Sequence, residues 1–228
     1  MKKIMLLAAI AVFSFSSLVA QDIRFGVKGG VNFANLAGDF GASGYDDDVR
    51  DAKMKVGFHI GGLAEVKLSE KFALQPEVQF SNQGFKSSYE DFDDGRSVDY
   101  KVDLYYINVP IMAKFFPIEN LAVEAGPQIG VLISAKNEFN DAQNDLNSEL
   151  GEDEVDTKDL YKTIDFGFNI GASYELESGL FFAARYNIGI TKVDEEDIYD
   201  DIYDDVDFGV FSFSRKNRVI QLSVGFMF

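Results

Sequence analysis

Apolar and polar residues alternate one by one over most of the chain after residue 21, a pattern typical of β-strands with two different faces. Eight such stretches occur, within residues 23–33, 55–68, 72–81, 107–115, 121–133, 164–174, 180–190 and 220–228. Tight connections at 69–71, 117–120 and 177–179 alternate with long ones at 37–54, 87–99, 136–159 and 194–215. This pattern predicts an all-β fold, an eight-stranded antiparallel up-and-down transmembrane β-barrel.

The face that meets solvent distinguishes this barrel from a soluble eight-stranded barrel. The apolar face carries no charged residue, as hydrocarbon requires, because a Lys or Arg at mid-membrane costs about 2–4 kcal/mol. The polar face is rich in Gly, Ala and Ser, which suits a narrow packed interior better than a solvated exterior. We therefore expect the apolar face to meet lipid.

Three positions disturb the alternation. A change of phase at Tyr105 and Tyr106 predicts a β-bulge. Pro76 and Pro127 stand inside strand patterns, where each lacks the N–H that a β-ladder uses, and this weakens the strand prediction locally.

The N-terminus has the form of a secretory signal peptide. Lys2 and Lys3 precede a nearly unbroken apolar run over residues 4–15, and small residues follow up to Ala20. We predict cleavage between Ala20 and Gln21, so that residues 1–20 are removed and residues 21–228 form one outer-membrane β-barrel domain.

Composition excludes several classes of function. The chain has 38 Asp and Glu against 21 Lys and Arg, a net charge of −17, one His and no Cys. Phosphate contacts need clustered Lys and Arg, so we expect no nucleic-acid partner. Disulfides, thiolate metal sites and multi-His metal centres are excluded, and we expect no cofactor.

Charged residues of opposite sign share the polar face that would point into the barrel. Buried charges need partners, and this near balance predicts a self-neutralising lumen that is plugged by side chains, without an open pore. The residues of this predicted polar network are Arg24, Lys28, His59, Glu65, Glu77, Lys114, Glu124, Asp165, Glu175 and Arg185, with Lys55 and Lys67 on the same face.

Catalysis has little support in the sequence. His59 is the one candidate base, and no Ser and acid stand at a spacing that would place a nucleophile and an orienting group beside it. We interpret His59 as a lumen residue satisfied by Glu or Gln neighbours. The prediction is that the protein is not an enzyme.

The four long loops hold 28 of the 38 acidic residues, with dense runs at 46–48, 91–94, 152–154 and 194–197. One interpretation is a solvated, mutually repelling surface. The alternative is weak divalent-cation binding, since clustered carboxylates suit Ca²⁺ or Mg²⁺ and could link the loops to lipopolysaccharide.

Several segments resemble a known family. They are Phe-Gly-Val-Lys-Gly-Gly-Val-Asn-Phe-Ala at 25–34, Leu-Gln-Pro-Glu-Val-Gln-Phe-Ser-Asn-Gln-Gly at 74–84, Tyr-Ile-Asn-Val-Pro-Ile-Met-Ala-Lys at 106–114 and Ala-Gly-Pro-Gln-Ile-Gly at 125–130. In combination they resemble the porin-like outer-membrane β-barrel proteins of Bacteroidetes-type bacteria, which include PorT-like proteins. The terminal strand, ending in Phe226 and Phe228, looks like the signal read by the barrel-assembly machinery, although Ser stands at 223 where that pattern has Gly.

Together these features predict an integral protein of a Gram-negative outer membrane, with periplasmic termini and extracellular long loops. The expected role is envelope-structural or surface-interaction. The resemblance adds an accessory role in a protein secretion or transport assembly, as for PorT-like proteins. A lipid-modifying enzyme and a small diffusion channel are further alternatives. Expected partners are outer-membrane lipid and lipopolysaccharide, and the barrel-assembly machinery during insertion.

Overall fold

The computed structural model describes residues 23–38, 40–42, 53–90, 97–139, 154–194, 211–213 and 215–228. The predicted signal peptide with its cleavage site at Ala20 and Gln21 lies outside the described residues. So do the acidic runs at 46–48 and 91–94 and most of those at 152–154 and 194–197.

Eight long strands form the barrel. They are β1 (Ile23–Ala37), β2 (Lys55–Lys67), β3 (Phe72–Glu90), β4 (Ser97–Ile118), β5 (Leu121–Phe139), β6 (Ile164–Glu175), β7 (Leu180–Gly189) and β8 (Lys216–Met227). Three short strands, Phe40–Ala42, Glu154–Asp156 and Phe211–Phe213, lie at the end with the long connections, and a 3₁₀ turn spans Lys158–Leu160.

Each long strand pairs antiparallel with the next, and β1 pairs with β8 from Gly26↔Met227 to Ala37↔Lys216. The N–H of Phe228 donates to the carbonyl of Phe25 at 2.8 Å, which extends this seam to the last residue. The sheet has no open side, and the predicted eight-stranded antiparallel barrel is confirmed. The first residues of β1 and the last residues of β8 lie at the same end of the barrel as the tight turns, and we call this end the turn end. The opposite end, which carries the long connections, is the loop end.

The apolar and polar faces of the strands point outward and inward, respectively, as the alternation predicted. Outward apolar side chains are exposed, for example Phe25 at 62% and Ile60 at 60%, whereas Lys28 at 3% and Glu65 at 0% point inward and are buried. A soluble barrel would place these faces the other way round. Among the described residues, no helix is long and apolar enough to cross a membrane.

The predicted bulge and the two prolines each disturb strand pairing locally. Pairing between β4 and β5 shifts register between Tyr105 and Tyr106, which confirms the predicted bulge. Pro76 and Pro127 lie within β3 and β5, where the β2–β3 ladder skips 64–65 opposite 75–76 and the β4–β5 ladder skips 111–112 opposite 126–127. The missing N–H of each proline thus interrupts one ladder without ending the strand.

One predicted loop is much shorter than expected. The sequence predicted a connection over 87–99, but β3 continues to Glu90 and β4 begins at Ser97. β3, β4 and β5 contain 19, 22 and 19 residues, well beyond the roughly 9–11 that a membrane crossing needs. Above the membrane both strand faces can be polar, so hydrophobic alternation does not reveal these extensions.

Candidate functional site

Glu77 is the centre of the middle level of the barrel interior. Its carboxylate lies 2.8 Å from Lys28 Nζ on β1 and accepts from Arg185 Nη1 at 2.9 Å and Nη2 at 2.6 Å on β7. Gln75 Nε2 donates to Glu77 at 2.6 Å, and Gln79 donates to it from the other side. β3 and β7 are four strands apart in a ring of eight, so the Glu77–Arg185 contact crosses the interior.

Arg185 extends this level to β5, because its Nε donates to Glu124. One guanidinium therefore binds two carboxylates that lie on two different strands. Planar bidentate contacts of this kind are among the strong hydrogen bonds of proteins. Four strands, β1, β3, β5 and β7, are thus connected by side chains at one height.

A second group of ion pairs lies nearer the turn end. Arg24 donates to Glu175 at 2.5 and 2.9 Å and to Glu65 at 2.5 Å. Glu65 also accepts from Lys114 Nζ at 2.7 Å, and Lys114 donates to Gln75 at 3.0 Å. Since Gln75 also donates to Glu77, the two levels form one continuous network.

A third group lies toward the loop end and contains residues that the sequence analysis did not select. Lys55 forms an ion pair with Asp103 and donates to Asn82 Oδ1 at 2.6 Å. Lys101 lies 2.8 Å from the other oxygen of Asp103, and Arg215 pairs with Asp194. The sequence pattern did not indicate Asp103, because the nearby change of phase obscures which face it occupies. It did not indicate Asp194, because this residue begins a predicted loop.

All ten predicted network residues make hydrogen bonds or ion pairs inside the barrel. Eight of them contact a residue of opposite charge, whereas His59 and Asp165 have only neutral partners. Lys67, predicted on the same face, is exposed at the turn end and takes no part in this network.

His59 has partners other than the Glu or Gln that the sequence suggested. Its Nδ1 lies 2.8 Å from Asn32 Oδ1, and its Nε2 lies 2.8 Å from Ser223 Oγ. Asn32 Nδ2 donates to the carbonyls of Phe58 and Asn82, so its oxygen faces the imidazole. Sequence spacing did not indicate Ser223 as a neighbour of His59, because only the register places both residues opposite Gly30.

This Ser–His–Asn arrangement has the contacts of a catalytic triad without the surroundings of one. Ser223, His59 and Asn32 are all buried, and Ser223 lies in a strand paired on both sides, to Gly30 and to Ala183. Backbone N–H groups committed to a ladder do not provide an oxyanion hole. The arrangement supports a structural hydrogen-bond network.

Apolar clusters lie above and below the polar levels. The turn-end cluster consists of Leu63, Phe181, Ala183 and Met227. The loop-end cluster consists of Leu36, Phe85, Val102, Leu104, Tyr106, Leu132, Ala135, Tyr161 and Val193. Arg215 stacks over Phe85 at 5.1 Å within the loop-end cluster. A pocket at the turn end, lined in part by Gln75, Lys114 and Arg185, has a volume of about 10 Å³, the room of about one water molecule.

Comparisons with known proteins agree with this architecture. A family model described as outer membrane protein beta-barrel domain matches residues 19–195. Neisserial surface protein A is 15% identical, with a TM-score of 0.50 over 90% of this chain and 97% of that chain. Ail of Yersinia pestis, solved with the heparin analogue sucrose octasulfate, is 13% identical, with a TM-score of 0.48 over 91% of this chain and 99% of that chain. OprG from Pseudomonas aeruginosa is 10% identical, with a TM-score of 0.42 over 91% and 97%. No curated protein matches the sequence.

Proposed function

Since the chain belongs to the family of outer membrane β-barrel proteins, we propose that it is a non-enzymatic integral protein of the outer membrane whose lumen is closed by its own side chains. Its role is envelope-structural or surface-interaction, carried by the loop end. The termini and tight turns face the periplasm and the loop end faces the exterior, as in up-and-down barrels of bacteria.

The contact between Glu77 and Arg185 carries this proposal. It joins opposite sides of the ring at 2.6 and 2.9 Å. Lys28 contacts Glu77 from β1, and Glu124 accepts from Arg185 on β5. A hydrated ion would have to separate these buried charges in order to pass, and separating a buried pair costs about 3–5 kcal/mol. The two apolar clusters add further barriers on the same axis.

Planar-bilayer conductance tests the closed lumen. The wild-type protein should insert without steady single-channel conductance. A triple variant, Lys28→Ala with Glu77→Ala and Arg185→Ala, removes the cross-lumen side chains and should conduct if it folds, which the change of gel mobility on heating reports. Steady conductance by the wild type would exclude the closed lumen and favour the diffusion-channel alternative.

Lipopolysaccharide is the proposed lipid partner, on the basis of basic side chains at the loop end, which stand beside the acidic residues of the long loops. Basic residues collect on that rim, some exposed and others half-buried; they are Lys53, Lys86, Lys158, Lys162, Lys192, Lys216 and Arg218. At the turn end, the described surface offers Lys67, Lys71 and the half-buried Arg24. Cationic side chains near a lipid surface contribute about 1 kcal/mol each toward anionic headgroups.

A triple variant of Lys86, Lys162 and Lys216 to Ala tests this partner against a matched double variant of Lys67 and Lys71 to Ala. Lipopolysaccharide retained on purified protein should fall for the loop-end variant and stay at the wild-type level for the turn-end variant. Equal lipopolysaccharide retention by the two variants would exclude the basic residues of the loop end as the lipopolysaccharide-binding surface. Cross-linking in native membranes then identifies protein partners, and recovery of secretion components would favour the PorT-like alternative.

A further inference from the structure

One buried carboxylate differs from the others in its neighbours. Asp165 on β6 is 5% exposed and accepts hydrogen bonds from Thr191 Oγ1 at 2.8 Å and Asn217 Nδ2 at 2.9 Å. Both partners are neutral. The remaining buried carboxylates of the described residues each contact a Lys or Arg; they are Glu65, Glu77, Asp103, Glu124 and Asp194.

An ionised carboxylate in such a position is costly, because a buried charge needs a partner of opposite sign as well as hydrogen bonds. Elsewhere in the interior the chain itself supplies that partner. At Asp165 the described residues supply dipoles alone, so its charge has no counter-charge among them.

Polar atoms near Asp165 also lack a hydrogen-bond partner among the described residues. Asn217, which donates to Asp165, has a buried Oδ1 without such a partner, and the same holds for the buried Tyr106 OH. These two atoms come from β8 and β4, and both residues lie near Asp165 on β6. Buried polar groups are nearly always satisfied, and two unsatisfied oxygens near one carboxylate form an oxygen-rich ligand set.

Gly130 lies beside these groups, and any larger side chain there would crowd them. A Cβ added to Gly130 would lie 2.7 Å from Asn108 Oδ1, 3.3 Å from the Tyr106 ring and 3.7 Å from Asp165 Cβ. Tyr106 belongs to the loop-end cluster, so Asp165 and its neighbours lie on the loop-end side of the ion pairs around Glu77. An ion that enters from the loop end would pass the loop-end cluster but not the ion pairs around Glu77.

We propose that Asp165, Tyr106 and Asn217 bind a monovalent alkali cation, Na⁺ or K⁺, together with water. Carboxylate, amide and phenol oxygens are ligands for hard cations. A single positive charge neutralises the one uncompensated carboxylate, whereas a divalent ion would leave an excess charge inside the barrel. The cation would lock β4, β6 and β8 together near the mouth. This site does not depend on the closed lumen, because the ion binds above the Glu77 level.

The test measures unfolding of the purified full-length barrel in neutral-lipid vesicles, in NaCl, KCl or choline chloride at equal ionic strength. At an alkali-ion concentration ten times the dissociation constant, the folding equilibrium constant should rise about tenfold over choline. Asp165→Asn should lose this dependence. Tyr106→Phe, which removes one hydroxyl and keeps the ring, should fold and show a weaker dependence. Glu175→Gln, at the turn end, should keep the wild-type dependence.

Three outcomes would overturn the proposal. Wild-type stability that is equal in choline and in alkali chlorides would exclude a bound cation. A dependence that persists in Asp165→Asn would place the ion elsewhere, for example on the acidic loops. A carboxylic-acid C=O infrared band at neutral pH that disappears in Asp165→Asn would show that a proton neutralises Asp165 instead.

Discussion

Replacing Glu77 by Gln tests whether the cross-lumen ion pairs hold the barrel together. The substitution keeps the side-chain size but removes the charge that faces Lys28 at 2.8 Å and Arg185 at 2.6 and 2.9 Å. Arg185 retains Glu124, whereas the described contacts leave Lys28 without an acid at hydrogen-bond distance. Breaking a buried pair by removing one partner costs about 3–5 kcal/mol, which corresponds to a loss of a hundredfold to several thousandfold in the folding equilibrium.

The assay is urea unfolding in lipid vesicles, followed by the gel mobility of folded and unfolded forms. Lys67→Ala is the control, since this side chain is exposed at the turn end and a surface change should stay within about 0.5 kcal/mol. Adding Lys28→Met to Glu77→Gln removes the stranded cation and should recover part of the loss. If Glu77→Gln costs less than about 1 kcal/mol, the network is not the stabilising element that we infer.

Further predictions concern Gly30, Ser223 and the C-terminus. Gly30→Ala should destabilise by about 1–3 kcal/mol, because the new Cβ would lie 1.9 Å from the Leu222 carbonyl, whereas Gly29→Ala, with 3.4 Å to its nearest neighbour, should be tolerated; similar losses would contradict the contact geometry. Ser223 should resist fluorophosphonate probes, since it is buried in a paired strand; labelling that Ser223→Ala abolishes would instead indicate an enzyme. Deleting Phe228, whose side chain is 71% exposed, should lower the amount assembled in cells far more than the stability of refolded protein, and undiminished assembly would exclude it from the assembly signal.

Much of this barrel could be predicted from local pattern. Alternation with period two assigned Phe25 to the lipid face and Lys28 and Glu65 to the interior, and the structure places them there. The bulge at Tyr105 and Tyr106 was visible as a change of phase. Side-chain direction in a strand depends on the residue's own position and its immediate neighbours, so the sequence alone contains this information.

Contacts across the lumen were decided by the tertiary structure. Arg185 and Glu77 are 108 residues apart, and Arg24 and Glu175 are 151 apart. Their meeting depends on how eight strands are staggered around the ring, which no local pattern records. The same stagger brings Ser223 to His59 and leaves Asp165 with neutral neighbours. The sequence by itself determined which residues enter the interior; closure of the sheet, with its fixed width and register, decided which of them became partners.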